Sequence, residues 1–164
     1  MKEKNYTIVG IISVILIILG AIINLIVHEL SHYLVLKICN GSFVDAKIAS
    51  ESFVAGYIEQ QYIAVVALAS IYIPLFISLI MSIFKNVYVN IFCCGFTFPI
   101  FINALFGLVV TVFEKNKIVR ATYDIALAID NCKSNWWIYL ISIVSLFLVL
   151  FILIKNVKTF CEKI

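Results

Sequence analysis

Four apolar stretches, Tyr6 to Ile38, Tyr62 to Phe84, Val87 to Phe113 and Trp136 to Ile154, each approach or exceed the roughly 20 residues that cross a bilayer core of about 30 Å. The hydrocarbon offers backbone groups no water, so a spanning segment of this kind must satisfy its own hydrogen bonds, as a helix does. A chain of 164 residues with 64% apolar and 13% charged side chains does not describe a water-soluble domain. The expected fold class is an all-α polytopic membrane protein with about four transmembrane helices, one domain over residues 1–164, set in the lipid bilayer of a cell membrane.

Lys2 and Lys4 precede the first stretch as in a secretory signal, but the apolar run is far longer than a signal core of about 7–15 residues. It is expected to stay in the mature protein. From Lys4 to Lys37 a continuous helix would extend about 50 Å, so it must tilt or protrude. Lys85 and Asn86 make a tight turn between the second and third stretches, whereas the polar connections 40–61 and 114–135 lie on the opposite side. In the first of these, Phe43 to Ile48 and Phe53 to Ile58 flank "ASES" and read as a short membrane-associated β-hairpin.

The twelve Lys and Arg residues divide evenly between the two sides, which leaves the orientation open. No basic patch interleaved with aromatics points to nucleic acid, and the oligomeric state is not legible. The five cysteines (Cys39, Cys93, Cys94, Cys132, Cys161) have no disulfide or zinc-cluster spacing and read mostly as small apolar fillers. Asn5-Tyr6-Thr7 and Asn40-Gly41-Ser42 match the glycosylation triplet, which matters only in a glycosylating compartment.

The most informative residues are in "LIVHELSHYL" (25–34), where two histidines and a glutamate interrupt the first apolar stretch. Ionisable side chains there are expensive and are functional candidates by default. His28-Glu29-Leu30-Ser31-His32 is H-E-x-x-H, and residues four apart share one helical face, so both imidazoles can ligate one zinc ion while Glu29 faces a water beside it. Zinc lowers the pKa of a bound water, and a glutamate base can carry its proton to a leaving amine, giving metal-assisted amide hydrolysis. The competing reading is a pair of core histidines with interhelical hydrogen bonds and a glutamate paired with a lysine.

A catalytic zinc takes three protein ligands and keeps a fourth position for water. The chain has no third histidine, which leaves Asp45, Glu51, Glu59, Glu114, Asp124 and Asp130 on the motif side, with Cys39 and Cys132 as thiolate options. Asp124 is preferred because "IVRATYDIALAID" (118–130) is apolar enough to return toward the membrane. The alternative is that Asp124 caps a short helix starting near Ile125. Asp130, close to Lys133, reads as a solvated helix end or loop residue.

H-E-x-x-H late in a long transmembrane helix, Gly41 soon after, a hairpin, "ALASIYIPL" (67–75) and a separated aspartate before a final span together resemble the site-2 protease family of intramembrane zinc metalloproteases. The resemblance covers about residues 15–140 and implies a minimal core of that fold. It implies His28, His32 and Asp124 as Zn2+ ligands, Glu29 as general base, and a transmembrane or membrane-associated protein as substrate. Asp124 stands between Tyr123 and Ile125, without the adjacent glycine common in that family, and Pro99 and Asn103 occur in the opposite order to the family's asparagine and proline.

Further polar residues have two readings each. Asn24, one turn before His28, either orients a ligand or bonds another helix; Asn103 either binds extended substrate or packs, with packing preferred. Pro74 is expected to kink the second helix, and Trp136, Trp137 and Tyr139 to form an interfacial belt. The hairpin either covers the site or offers an edge to an unwound substrate. A non-proteolytic zinc-binding protein of the same fold (regulator, immunity protein or transport partner) is the second functional reading, which needs no general base. A zinc transporter requires more polar ligands than Asn90 and Asn103 supply.

Overall fold

The computed structural model of the protein describes residues 6–47, 53–132 and 136–163. The hairpin tip with Ile48 and Glu51, together with Lys2, Lys4, Asn5 and Lys133, lies outside the described residues. The elements are α1 (Tyr6–Ile38), β1 (Ser42–Lys47), β2 (Phe53–Tyr57), α2 (Gln60–Met81), α3 (Val87–Phe113), α4 (Lys117–Arg120), α5 (Asp124–Asp130) and α6 (Trp136–Lys163). α1, α2, α3 and α6 are long and apolar enough to cross a membrane.

Two helix bounds differ from expectation. α2 occupies Gln60–Met81 rather than 62–84, because Ile83 and Phe84 belong to a turn whose amides bond Ile80 and Met81 carbonyls. Ile83 and Phe84 are exposed, and apolar character by itself does not dictate helical backbone. The Asn86 side chain then caps α3, accepting from Tyr88 N at 2.9 Å and Val89 N at 3.3 Å. α6 continues beyond Ile154 to Lys163, where Lys155 Nζ donates to Ser82 O at 2.7 Å and ties it to the end of α2.

α1 packs on α2 and α3, and α6 packs chiefly on α3. Gly20 and Gly95 let α1 and α3 meet backbone to backbone: a Cβ on Gly20 would strike Phe92 O, and one on Gly95 would strike Ile17 O. The outer surface of α1 exposes Ile8, Ile11, Val14, Ile15, Ile18 and Ile22, side chains suited to lipid. At the far end of the bundle from the hairpin, Asn156 Nδ2 donates to Cys93 Sγ at 3.1 Å and Thr97 Oγ1 bonds Ser78 Oγ at 3.0 Å. Cys93 is therefore part of a polar clamp among α2, α3 and α6 rather than a simple filler.

α1 ends in a Schellman turn: Asn40 takes φ 59° and Gly41 N donates to Leu36 O at 2.8 Å. The turn launches β1, which pairs antiparallel with β2 from Ser42 opposite Tyr57 to Lys47 opposite Phe53, with an irregularity between Phe43 and Asp45. Leu36 packs beneath this hairpin, and Gly56 leaves it room, since a Cβ there would meet the Leu36 side chain.

Candidate metal centre

His28 and His32 stand four residues apart on the face of α1 that meets α2, with ring centroids 5.1 Å apart. The Val66 carbonyl can only accept, so His32 Nδ1, 2.9 Å away, carries the proton and donates it. The His32 Nε2 points away from α2 and toward Asp124. His28 makes its own backbone hydrogen bond one turn further along α2, at Ser70. Pro74 lies four residues after Ser70 inside α2 and has no N–H for the Ser70 carbonyl, which frees that oxygen for the imidazole. Both rings are thus held by the main chain of α2.

Asp124 comes from beyond α3. The loop after α3 turns through α4, and α5 re-enters the bundle with Ile125, Ala126, Ala128 and Ile129 buried. Gly107 of α3 admits Ile125 at close range. Arg120 anchors the turn: Nε donates to Asp130 Oδ2 at 2.8 Å, while Nη1 donates to Thr111 O at 2.6 Å and Glu114 O at 3.2 Å, capping the end of α3. The cap position of α5 is occupied by Tyr123, so Asp124 is the first helical residue and not its cap. Its carboxylate faces the histidines instead: Oδ2 lies 3.3 Å from His28 Nε2 and Oδ1 3.2 Å from His32 Nε2.

Two further residues hold that carboxylate. Ser70 Oγ donates to Oδ2 at 2.8 Å, and Asn103 Nδ2 donates to the same oxygen at 3.2 Å. Burial favours the protonated form of Asp124, but the His32 hydrogen bond, the charges of His32 and His28 and the Ser70 hydroxyl outweigh it, holding the carboxyl below its usual range.

The donor set fits zinc. One ligand atom from each of His28, His32 and Asp124 lies within 4.8 Å of the others, the one such cluster found among the described residues. The two His–Asp separations, 3.3 Å to Oδ2 and 3.2 Å to Oδ1, leave the three side chains close enough to share one ion. A carboxylate between two imidazole nitrogens is a place where a cation can stand in for the protons that would otherwise be shared there. Two imidazoles and one carboxylate also leave the fourth position open.

Glu29 is 4% exposed; its Oε1 is 3.9 Å from His28 Nε2 and its Oε2 has no hydrogen-bond partner. Two cavities meet at this residue and His28. The outer one, about 790 Å³, also contains His32 and Asp124 and is roofed by Gly56 and Ile58 of the hairpin and its exit. The inner one, about 510 Å³, lies among α1, α2 and α3 and reaches Asn24, Ser70 and Asn103.

Among the described residues, the remaining ligand candidates are not part of the cluster. Asp45 is exposed on β1; Glu59 accepts from Gln61 Nε2 at 2.6 Å; Glu114 Oε1 accepts from Asn116 N at 2.8 Å. Cys39 and Cys132 are half-buried elsewhere. Asp130 is the last residue of α5, as expected of a helix end, but it is committed to Arg120. Asn103 packs with its amide on Asp124, a partner that the sequence did not name: it lies at mid-helix and only the return of α5 gives it a carboxylate. Ser70 was not singled out as a site residue by the sequence; its position four residues before Pro74 was the available signal. Asn24 is nearly buried, and its Nδ2 bonds neither a histidine nor another helix. Comparison with protein-family models, curated proteins and solved structures finds no match for this chain.

Proposed function

We propose that the protein is an intramembrane zinc metalloendopeptidase on the plan of the site-2 protease family, hydrolysing a peptide bond in or near a transmembrane segment of another protein. The observation that carries this reading is the buried, unpartnered Glu29 Oε2 beside the His28, His32 and Asp124 cluster, where two cavities meet. A binding-only site has no use for a free carboxylate oxygen there, and such a group is costly to leave unpaired.

His28, His32 and Asp124 would hold the metal, with the rings oriented by α2 and the carboxylate by Ser70 and Asn103. Zinc held there would supply Lewis-acid chemistry, polarising a carbonyl and lowering the pKa of a water. Glu29 Oε2 takes the water's proton and delivers it to the amine nitrogen as the peptide bond breaks. The outer cavity, roofed by the hairpin, takes the substrate chain and limits water around it. As a multi-pass protein of a cell membrane, it would meet its substrate within the bilayer.

The test is zinc content and cleavage of candidate membrane peptides by detergent-purified wild type, Glu29→Gln and Asp124→Ala. Glu29→Gln is expected to keep zinc and lose at least about a hundredfold in cleavage rate, the scale of a removed general base. Equal cleavage by Glu29→Gln and wild type overturns the enzyme reading; zinc binding without cleavage by any form leaves the non-proteolytic zinc protein.

A further inference from the structure

We propose that the inner cavity is a substrate subsite in which the Asn24 side-chain amide donates a hydrogen bond to a main-chain carbonyl of the unwound substrate segment. The proposal rests on the hydrolase reading above and adds a residue outside its H-E-x-x-H and aspartate constellation.

The cavity has a closed end and a reactive end. At Gly20 and Gly95 the α1 and α3 backbones touch and leave no space. One turn further along α1, the gap between the helices is the inner cavity, with Leu25, Pro99 and Ile100 as apolar walls and His28 and Glu29 at its other end. Asn24 therefore sits between the closed end and the metal cluster.

Asn24 is 3% exposed and its Nδ2 donates to nothing. Other neutral donors around this cavity are committed. Asn103 Nδ2 bonds Asp124, and the single Ser70 hydroxyl proton serves Asp124 or Ala67 O, each 2.8 Å away. A buried donor without a partner, lining a cavity of about 510 Å³, is a site for an incoming acceptor.

The chemistry of the acceptor follows from that of a membrane substrate. Hydrolysis requires the substrate helix to open, and opening it in hydrocarbon strands carbonyl oxygens with no water to receive them. The apolar walls disfavour a charged group, whereas a main-chain carbonyl is neutral and available in any unwound segment. Asn24 thus binds substrate without taking part in proton transfer, and its contribution grows with the extent of unwinding.

The test uses full-length protein in the Glu29→Gln background and two labelled peptides. Each has a 20-residue Leu/Ala span; one is continuous and the other carries a central Gly-Pro break. The readout is binding affinity, with and without Asn24→Leu, alongside zinc content and thermal midpoint. The broken peptide is expected to lose about tenfold in affinity on Asn24→Leu, the effect of one hydrogen bond. The continuous peptide is expected to be unaffected. Zinc content should stay unchanged and the thermal midpoint should rise, because the variant removes an unpaired donor. Asn24→Gln, which keeps the amide, should retain part of the preference and guards against a folding artefact.

Equal loss for both peptides, no binding of the broken peptide by the parent, or no loss on Asn24→Leu overturns the subsite. Loss of zinc in Asn24→Leu overturns it in favour of a role at the metal. These outcomes are separate from failure of the hydrolase reading, which is decided by cleavage in wild type against Glu29→Gln.

Discussion

Arg120 and Asp130, ten residues apart, close the loop that delivers Asp124 to the histidines: the guanidinium holds the last residue of α5 with one edge and the final carbonyls of α3 with another. The pair is partly exposed at Asp130, so its Coulombic contribution alone is small. The half-buried carbonyls that Arg120 also satisfies make it more valuable. Arg120→Ala is expected to cost about 1–3 kcal/mol and to weaken zinc binding through misplacement of Asp124. Arg120→Lys, which cannot reproduce the fork, should recover only part of it. Thermal unfolding with and without zinc measures both effects.

Asp124→Asn retains the size of the side chain and removes the charge that the metal needs. Its zinc affinity should fall by more than the 10–100-fold typical of losing a residue that merely supports a ligand. Ser70→Ala and Asn103→Ala each remove one such support, so each should fall within about that range. Competition with a chromogenic chelator would order the three variants.

Acidification should release zinc through the imidazoles and not through Asp124. The Asp124 carboxyl is held below its usual range, so it stays charged to lower pH than an ordinary carboxylate. Its stabilising contribution, present above that range, is lost only as the pH falls through its depressed value. Histidine ligands must be neutral to bind, so zinc affinity should already decline in the range where imidazoles take up protons. A zinc titration at pH 7.5, 6 and 5 tests this order.

Pro74→Ala restores an N–H within reach of the Ser70 carbonyl, which would then be drawn back into the α2 ladder. The helix should gain stability while His28 loses its exclusive backbone partner. The expected signature is a raised thermal midpoint with about tenfold weaker zinc binding. Unchanged zinc affinity would show that the freed carbonyl does not position His28.

Gly95→Ala places a methyl group against the Ile17 carbonyl, and Gly20→Ala places one against Phe92 O. Each should cost about 1–3 kcal/mol, because neither backbone can retreat without separating α1 from α3. Gly10→Ala has open space around it and should be neutral or stabilising by up to about 1 kcal/mol. Thermal unfolding in detergent distinguishes the sites.

The features that the sequence determined by itself are those whose physics is local. Apolar length identified four spanning helices, with α1 and α3 at their expected bounds, and β-branched and aromatic runs identified the hairpin. The four-residue spacing of His28 and His32 placed both on one face, with Glu29 beside them, because helical geometry depends on nothing distant. Tertiary structure alone decided which of the carboxylate and thiol candidates approaches the histidines, since that depends on α5 folding back against α2 and α3 across an irregular loop. It also decided that Asn103 supports Asp124, that the carbonyl freed by Pro74 meets His28, and that Asn24 remains an unpaired donor in a cavity. A side chain's spacing is set by its own helix, but its partner is set by whichever helix packs against it.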